Sequence, residues 1–483
     1  CLLLQEGVAS AAAIDDVAMR AFRIGLGPFA LMNLTGPPIA LHSTDYLAEQ
    51  LETPRYVGAE NLREMVEAGK QWEIGDDIEC SEDAAEKIRT RLLGQVFAVA
   101  GQIVDEEICS IEDVDRGAKV GLRWARGPFE LANRLGIDDA KAMAEDYCEL
   151  ANFPVPKIWK RNDAFAFSYV DLDVNAGVAT ITINRPEAMN ALNETVISQL
   201  GRALDKANSD DTIRTIVLDG AGKAFVAGAD VKFFVDKIRA DSFPDIYDFT
   251  ADGHKVLNKL ESSTKTTIAL TTGLSLGGGL ELALSCDYRI GTRKTQFRFP
   301  ETSIGIFPGL GGTQRPARIA GLPAARWAVL AGNFMDARTA ADLGLVTDLV
   351  DVTEVDSTIT ILHSKGKPTE KYPESPVNPN SKVAMFAMSF YSDDNMSTIL
   401  SGGCPEGFDP EDKMVSRQLK SLSRTAPIAL RMASDLIDAA STTELKAGLN
   451  QELDNLEAIF STNDALEGLS ALIEGRKPTY QNS

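Results

Sequence analysis

The middle of the chain alternates between short apolar runs and a helical pattern. Residues 178–183 and 213–218 are apolar and rich in β-branched side chains, which is typical of strands. Between them, apolar residues recur every four positions, as on the buried face of a helix: Val196, Leu200 and Leu204. This alternation of strand and helix continues to about residue 350 and predicts a mixed α/β core.

The last third of the chain predicts a loop followed by helices. Residues 364–380 carry prolines at positions 368, 373, 376 and 379 among polar residues, which indicates an exposed loop. Apolar residues then follow one helical stripe: Leu445, Leu449, Leu453, Leu456 and Phe460. Core or subunit packing would explain this stripe. Residues 464–473 predict a further helix that is closed by Gly475 and Pro478.

The first third contains an internal repeat. Gly-Pro-Phe at residues 27–29 recurs at 127–129, and Ile-Asp at 14–15 recurs as Val-Asp at 114–115, each offset by 100 residues. Both copies run from an apolar helical stretch through an acidic turn to a second short helix. Two similar helical units are predicted. Because no polar cluster stands out in either copy, a structural duplication without its own chemistry is the simpler interpretation.

Length, composition and charge limit the class of protein. A chain of 483 residues is too long for one ordinary core, so two or three domains are expected. With 44% hydrophobic and 24% charged residues, the chain has the composition of a folded globular protein. The formal net charge of −22 disfavours nucleic acid and anionic membranes as partners.

Metal and disulfide chemistry find little support in the sequence. The six cysteines are widely spaced, without a CxxC motif or a Cys/His cluster. The histidines, at positions 42, 254 and 363, do not pair with any motif and are interpreted as structural or exposed. Since no apolar run reaches the ~18 residues of a membrane span and no signal-like segment is present, we expect a cytoplasmic location and no metal.

Two glycine-rich turns, each next to a glutamate, carry the candidate chemistry. Gly277-Gly278-Gly279 precedes Glu281, and Gly309-Leu310-Gly311-Gly312 follows Glu301 by a few residues. Glycine lets backbone N–H groups approach a ligand closely, and buried carboxylates suit acid–base work. The pattern therefore suggests acid–base chemistry on a polarised carbonyl. Taken alone, the glycines could equally admit a close contact between a helix and a strand, and Glu281 could be an exposed first-turn residue.

Two further segments turn this pattern into a family resemblance. Residues 222–230, Gly-Lys-Ala-Phe-Val-Ala-Gly-Ala-Asp, and residues 184–192, Asn-Arg-Pro-Glu-Ala-Met-Asn-Ala-Leu, precede the two turns. Together the four motifs resemble those of the enoyl-CoA hydratase (crotonase) family, in family order, over about residues 168–352 and again over 414–480. The resemblance implies an α/β crotonase spiral of ββα units with a C-terminal helical region.

The repeat resembles a different family. Its segments are similar to the all-helical C-terminal domain of 3-hydroxyacyl-CoA dehydrogenases, which also occurs in tandem in fused enzymes. The dinucleotide-binding domain of that family is not among these residues. Since the first residues read as a helix already under way, we expect the natural protein to extend upstream, as in a bifunctional dehydrogenase/hydratase. Domains are expected at 1–80 (first repeat), 81–157 (second repeat), 165–352 (crotonase core), 353–413 (connector) and 414–483 (C-terminal helices).

The crotonase resemblance also implies roles for individual residues. Glu281 would hold the attacking water as base and Glu301 would protonate Cα, one of the two staying protonated at neutral pH. The N–H groups of Ala227 and Gly278 would bind the thioester oxygen, and Gly309 would help to hold the water. Contacts with CoA and substrate are implied for Glu187, Ala188, Met189, Gly228, Ala229 and Asp230.

The resulting hypothesis is hydration of a short-chain 2-enoyl-CoA, with crotonyl-CoA as substrate, by a homo-oligomer. No cofactor is expected in this chain. The same resemblance leaves other crotonase chemistry open, such as enoyl-CoA isomerisation or thioester hydrolysis. NAD-dependent 3-hydroxyacyl-CoA oxidation would require a dinucleotide-binding domain upstream. A third alternative makes the helical repeat a non-catalytic assembly module. The acyl-chain length preference and the subunit number are left open by the sequence.

Overall fold

The computed structural model describes residues 1–53, 56–75, 78–372 and 377–483. These residues divide into two compact units, Cys1–Ser168 and Tyr169–Ser483. Among the described helices, none combines the length and the apolar character that a bilayer span requires.

The secondary structure of the N-terminal unit consists of helices, with no strand among its described residues from 1 to 168. Its helices are α1 (Leu2–Gln5), α2 (Ala11–Phe22), α3 (Pro28–Thr35), α4 (Pro37–Gln50), α5 (Glu60–Glu67), α6 (Glu82–Asp105), α7 (Ile111–Gly121), α8 (Pro128–Leu135) and α9 (Ile137–Leu150). The long helix α6 packs against both α2 and α9. Side chains of both repeat copies pack together in a hydrophobic core of this unit, where Phe22, Phe97 and Phe129 are buried.

The predicted repeat is confirmed down to its hydrogen bonds. In the first copy the buried Asp15 carboxylate accepts the N–H groups of Phe29 and Ala30, each at 2.8 Å. In the second copy Asp115 binds the first turn of α8, after Gly127, in the same way and at the same distances. Each copy buries one aspartate because the free N–H groups of a helix start need acceptors.

The second unit contains strands β1 (Val170–Asn175), β2 (Val178–Ile183), β3 (Thr215–Gly220), β4 (Ala224–Ala227), β5 (Thr266–Thr271), β6 (Leu274–Leu276), β7 (Tyr288–Gly291), β8 (Gln296–Arg298), β9 (Met335–Asp336) and β10 (Asp348–Leu349). Within the described residues, one sheet has the order β1-β2-β3-β5-β7-β10 and the other β4-β6-β8-β9. The pairs β1–β2 and β8–β9 are antiparallel, and the rest are parallel.

The sheets confirm the predicted spiral. The pairs β3–β4, β5–β6 and β7–β8 each place their first strand in the larger sheet and their second strand in the smaller one. Helices follow the first two pairs, so ββα units stack along the chain. The strand predicted at 178–183 has those bounds, whereas the one predicted at 213–218 begins two residues later, at Thr215.

The helices of the second unit are α10 (Glu194–Ser209), α11 (Val231–Arg239), α12 (Phe243–Glu261), α13 (Gly278–Leu284), α14 (Arg315–Ala320), α15 (Leu322–Leu330), α16 (Ala337–Asp342), α17 (Val355–Lys365), α18 (Lys382–Phe390), α19 (Met396–Leu400), α20 (Lys413–Leu422), α21 (Pro427–Ala439), α22 (Leu445–Asp454), α23 (Leu456–Phe460) and α24 (Asn463–Glu474). The stripe predicted as one helix is two, α22 and α23, because the backbone turns at Asn455. Helix α24 ends at Gly475, as predicted.

The predicted loop at 364–380 is not simply exposed. After α17 ends, the Lys367 ammonium lies 2.9 Å from the buried Asp287 carboxylate. The Lys371 ammonium lies 3.5 Å from the Glu261 carboxylate, and its side chain is only 17% exposed. Two buried carboxylates thus draw the lysines of this loop onto the fold. Of its prolines, Pro373 and Pro376 lie outside the described residues.

Candidate active site

The first glycine turn joins β6 to the short helix α13. Gly277 has φ +46°, and a Cβ atom there would lie 2.3 Å from Oε1 of Glu301. Gly279 is restricted for another reason, since its Cβ would lie 1.9 Å from the carbonyl oxygen of Val226 in β4. The interpretation as a close contact between a helix and a strand is therefore correct for Gly279. Gly279 admits the close contact between helix and strand, and Gly277 makes room for a carboxylate.

Glu281 lies on α13 with its carboxylate inside the protein. It is 2% exposed, and its Oε1 accepts the N–H groups of Leu310 at 2.7 Å and Gly312 at 2.6 Å. Burial raises the pKa of Glu281 to about 7, although both hydrogen bonds favour the ionised form. The alternative of an exposed first-turn residue is excluded. Glu281 is a carboxylate that changes charge near neutral pH.

Glu301 begins a 3-10 turn directly after Pro300 and β8. It is 7% exposed, and its Oε2 has no hydrogen-bond partner in the part of the chain that the structure describes. Burial, together with the charge of Glu281, raises the pKa of Glu301 well above its ordinary value. A buried ionised oxygen without a partner is costly, so Glu301 keeps its proton at neutral pH. Glu281 can therefore ionise near neutral pH while Glu301 stays protonated.

The second glycine turn has carboxylates on two sides. Gly311 donates its N–H to Oε2 of Glu452 at 2.7 Å. Thr313 donates both its N–H, at 3.1 Å, and its hydroxyl, at 2.5 Å, to Oε1 of Glu452. Since Leu310 and Gly312 bind Glu281, successive N–H groups of this turn face different glutamates. The turn is therefore fixed by four backbone donors.

Sequence reasoning missed Glu452. It is 0% exposed on α22, and burial, then the charge of Glu281, raises its pKa to about 8. A signal was present, because Leu449, Glu452 and Leu456 step by three and four residues and place this glutamate within the apolar stripe. A carboxylate at such a position either has buried partners or belongs to a site.

His254 supports the same turn, so the prediction that no histidine pairs with a motif is wrong for this residue. Its Nε2 lies 2.6 Å from the Gly309 carbonyl oxygen, which makes Nε2 the protonated nitrogen. Burial lowers the pKa of His254 to about 4, so the ring is neutral at pH 7. The hydrogen bond gives the Gly309 carbonyl a partner and fixes its direction. His42 and His363 remain outside the site.

The free backbone donors differ from the predicted pair. Ala227 donates its N–H to the carbonyl of Met189 at 3.0 Å, so the oxyanion role predicted for Ala227 is wrong. A donor already paired within the protein has no proton left for a ligand. The N–H groups of Ala229, Gly278 and Gly309 form no hydrogen bond with any described residue. The free N–H of Ala229 lies two residues along the same loop from Ala227.

One cavity of about 220 Å³ joins these groups. Of the predicted residues, it is lined by Ala227, Gly228, Ala229, Gly278, Glu281, Glu301 and Gly309. Its apolar wall comes from α11, α12 and the C-terminal helices: Phe234, Phe249, Leu456, Phe460, Leu469 and Leu472. Carboxylates and free N–H groups therefore share a small cavity with an apolar wall.

The segment predicted to lie along CoA stands beside this cavity and does not line it. Glu187 and Ala188 form a 3-10 turn, and Met189 follows at φ +49°. The carbonyl of Met189 connects the segment to the cavity through Ala227. Asp230 precedes α11, and its carboxylate lies 3.5 Å from Nη2 of Arg185. The roles of these residues in binding CoA remain predictions.

A larger cavity lies elsewhere, inside the N-terminal unit. It measures about 630 Å³ and is lined by residues of α2, α6 and α8 and of the segments beside them, including Arg23, which follows α2, and Arg126, which precedes α8. None of the residues predicted for acid–base chemistry lines it. Size alone therefore does not identify the active site.

Comparisons with known proteins agree with the geometry. A sequence model described as enoyl-CoA hydratase/isomerase matches residues 178–483, and one for the C-terminal domain of 3-hydroxyacyl-CoA dehydrogenase matches residues 1–73 and 88–162. A probable enoyl-CoA hydratase of Mycobacterium tuberculosis is 31% identical over 64% of this chain and 96% of its own length. A crotonyl-CoA hydratase of Syntrophomonas wolfei is 28% identical over 65% of this chain and 98% of its own.

A solved structure supports the fold. The crystal structure of an enoyl-CoA hydratase from Rhodobacter sphaeroides superimposes with a TM-score of 0.56, at 23% identity, over 65% of this chain and 92% of that chain. The first family match covers more than half of the chain. The chain belongs to the enoyl-CoA hydratase/isomerase family, and its crotonase domain follows a helical region like the C-terminal domain of 3-hydroxyacyl-CoA dehydrogenase.

Proposed function

We propose that this chain is an enoyl-CoA hydratase that adds water across the 2,3 double bond of a short-chain 2-enoyl-CoA, such as crotonyl-CoA. One observation carries the proposal: two buried glutamates of different charge line the same cavity as three unpaired backbone N–H groups. Hydration needs a base, an acid and donors for a developing negative charge. The relatives named for this activity match the domain that holds the cavity.

In the proposed reaction, water lies between the Glu281 carboxylate and the N–H of Gly309. Glu281 takes one proton as the water oxygen bonds to Cβ, and the electrons of the double bond move to the thioester oxygen. The N–H groups of Ala229 and Gly278 stabilise that oxygen. Donors of this kind are each worth about 3–4 kcal/mol in a transition state. They serve without reorganisation because the fold already holds them.

Glu301 completes the addition. Its proton passes to Cα as the carbonyl reforms, giving the 3-hydroxyacyl-CoA. Glu281 is then protonated and Glu301 ionised, and exchange of one proton through solvent or water restores the starting state. The reaction changes no oxidation state, so we propose that it requires no cofactor.

The cavity also supports a short acyl chain. At about 220 Å³ it lies below the 300–1,000 Å³ of ordinary ligand pockets, and aromatic rings close its apolar side. The substrate's CoA portion would lie along Glu187, Ala188 and Met189 and the loop from Gly228 to Asp230. Assembly into a homo-oligomer stays a prediction.

The direct test is the loss of conjugated-thioester absorbance from crotonyl-CoA. Glu281→Gln and Glu301→Gln should each lower kcat by several orders of magnitude with KM little changed, because both groups act on reacting atoms. Glu457→Gln, at an exposed position on α23, should leave kcat unchanged. An inactive parent that still binds CoA esters would reject hydration. A 3-enoyl product would instead identify an isomerase.

A further inference from the structure

The turn from Gly309 to Thr313 lies between two carboxylates from distant parts of the chain. Glu281, on α13, accepts the N–H groups of Leu310 and Gly312. Glu452, on α22 in the C-terminal helical region, accepts those of Gly311 and Thr313. If the second carboxylate were absent, two buried N–H groups would lose their acceptors. The position of the donors on Glu281 thus depends on Glu452.

The surroundings of Glu452 contain no direct cationic partner among the described residues. His254 lies 3.7 Å away, but its ring is neutral at pH 7. Arg315 is fully buried nearby, yet its guanidinium donates to the Leu310 carbonyl and to Glu261. Glu281 faces the same turn with a like charge. Hydrogen bonds from the turn and from the Thr313 hydroxyl therefore offset most of the free-energy cost of burying this carboxyl group.

We propose that Glu452 is a positioning residue for the hydration reaction, which fixes the second glycine turn from the side opposite Glu281 and couples its own protonation to that of Glu281. The proposal rests on the proposed function. It makes the active site depend on docking of helix α22, whose residues do not contact the reacting atoms. It also explains why a carboxyl group, rather than an apolar residue, occupies the buried stripe.

The coupling has a direction. Two nearby carboxylates disfavour joint ionisation, so Glu281 ionises first, near pH 7, and Glu452 follows near pH 8, as the pKa values of about 7 and about 8 indicate. Above that pH the ionised Glu452 carboxylate adds a second negative charge next to the turn. This charge opposes the negative charge that develops on the thioester oxygen, so turnover declines.

The first test is the pH profile of kcat/KM for Glu452→Gln, with Asp454→Asn, exposed on the same helix, as the matched control. The glutamine cannot accept at both ends, so the turn shifts and kcat at pH 7 falls about 10- to 100-fold with KM little changed. The decline of kcat/KM near pH 8 should disappear in this variant and persist in the control. A lower kcat with an unchanged profile would reduce Glu452 to a structural residue and overturn the coupling.

A second test does not depend on activity. In the parent protein the amide proton shifts of Gly311 and Thr313 should titrate near pH 8, and those of Leu310 and Gly312 near pH 7. In Glu452→Gln only the second pair should titrate. One common midpoint for all four amides would overturn the proposal.

If the parent were inactive on crotonyl-CoA but showed both midpoints, the proposed function would fail while the coupling stood. Should Glu452→Gln not fold, Thr313→Val removes one donor to Glu452 and should shift the same two amides.

A separate observation concerns the cavity of about 630 Å³ in the N-terminal unit. Arg23, Arg126 and Arg134 line it and form no ion pair with a described residue. By contrast, Arg20 and Arg89 in the same wall are paired, with Asp16 and Glu86. Partial burial, then the charges of Arg134 and Arg23, lower the pKa of Arg126. Three unpaired guanidinium groups are notable in a chain of net charge −22.

Of the three arginines, Arg23 recurs in the second copy as Arg123, but Arg126 and Arg134 have no counterpart in the first copy. At the positions 100 residues before Arg126 and Arg134, the first copy has Leu26 and Leu34. The cavity floor is apolar, with Leu93 and Leu131 both buried. Carboxylates also line the cavity, at Glu82 and Asp83, which disfavours filling it with a bare polyanion. The arrangement suits a ligand with an anionic end, an apolar middle and hydrogen-bond donors at the other end.

We infer that this cavity binds a nucleotide, with its phosphates on Arg23, Arg126 and Arg134 and its base over the leucine floor. Arginine is the side chain best suited to bidentate phosphate recognition.

Calorimetry with ADP on the full chain should detect saturable binding, and pyrophosphate should bind at least tenfold more weakly. Arg126→Gln and Arg134→Gln should each weaken ADP binding about tenfold or more, whereas Arg123→Gln, outside the cavity, should not. Equal binding of ADP and pyrophosphate, or equal effects of all three variants, would overturn the inference.

Discussion

The ring of Phe234 stacks on the ring of Phe460, with centroids 5.1 Å apart and planes inclined by 15°. Phe234 belongs to α11, directly after the predicted substrate loop, and Phe460 belongs to the C-terminal helix α23. Both rings line the cavity that holds the two glutamates. Phe249 meets Phe234 edge to face at 5.7 Å and closes the same wall. We therefore predict that this aromatic wall limits how far an acyl chain can extend.

Replacing Phe234 with alanine should lengthen the preferred acyl chain. Removing the ring opens the wall, so the ratio of kcat/KM for octenoyl-CoA to that for crotonyl-CoA should rise about tenfold or more, as expected for burying further methylenes. The variant should also lose about 3–5 kcal/mol of stability. Phe386→Ala, in a separate aromatic cluster with Phe390, should lower stability without changing the ratio. An unchanged ratio in Phe234→Ala would place chain-length selection elsewhere.

Gly277→Ala should inactivate the enzyme for a reason specific to Glu301. The new methyl group would meet Oε1 of Glu301 at 2.3 Å, and the positive φ adds strain of about 1 kcal/mol. Displacing the acid should lower kcat about 100-fold. Gly321→Ala isolates the strain, because Gly321 has φ +84° and its new methyl group would have no atom within 4 Å. Similar losses of activity in both variants would show that backbone strain, rather than contact with Glu301, is responsible.

The motifs led from the sequence to most of the site, and their success has a physical basis. Glu281 and Glu301 lie next to glycine turns that leave the backbone little conformational freedom, so the local sequence largely determines the local geometry there. The strands at residues 178–183 and the closure of α24 at Gly475 were predictable for the same reason, since neighbouring residues determine them.

The sequence-based predictions were wrong where contacts between residues far apart in the chain determine the structure. The N–H of Ala227 is not free because it donates to the carbonyl of Met189, which lies far upstream in the sequence. Glu452 reaches its turn across 141 residues of sequence, and its helix looks like ordinary core packing. The break at Asn455 likewise has no signal in the apolar stripe, which continues through it.

Asn190 should control binding more than chemistry. It is buried at φ +59°, and its Nδ2 donates to the carbonyls of Ala221, Ala224 and Phe225, so it ties the segment predicted to lie along CoA to the turn before β4. Asn190→Ala removes these bonds and should raise KM for crotonyl-CoA about tenfold while kcat changes little. Thr195→Ala, exposed on α10, should change neither. A fall in kcat at constant KM would instead assign Asn190 to the positioning of reacting groups.

Glu452 should also set the pH dependence of stability. Its pKa in the folded protein, about 8, lies above the ordinary 4.5, so its contribution is fully present below about pH 4.5 and is lost as pH rises through about 8. The free energy of unfolding of the parent should therefore decline by a few kcal/mol across this window. Urea unfolding at about pH 6 and pH 8.5 should show a smaller decline for Glu452→Gln than for the parent or Asp454→Asn, because glutamine does not ionise. Equal declines in all three proteins would mean that Glu452 has the same pKa in the folded and unfolded states. Burial between the turn and His254 would then add no free-energy cost to ionising this carboxyl group.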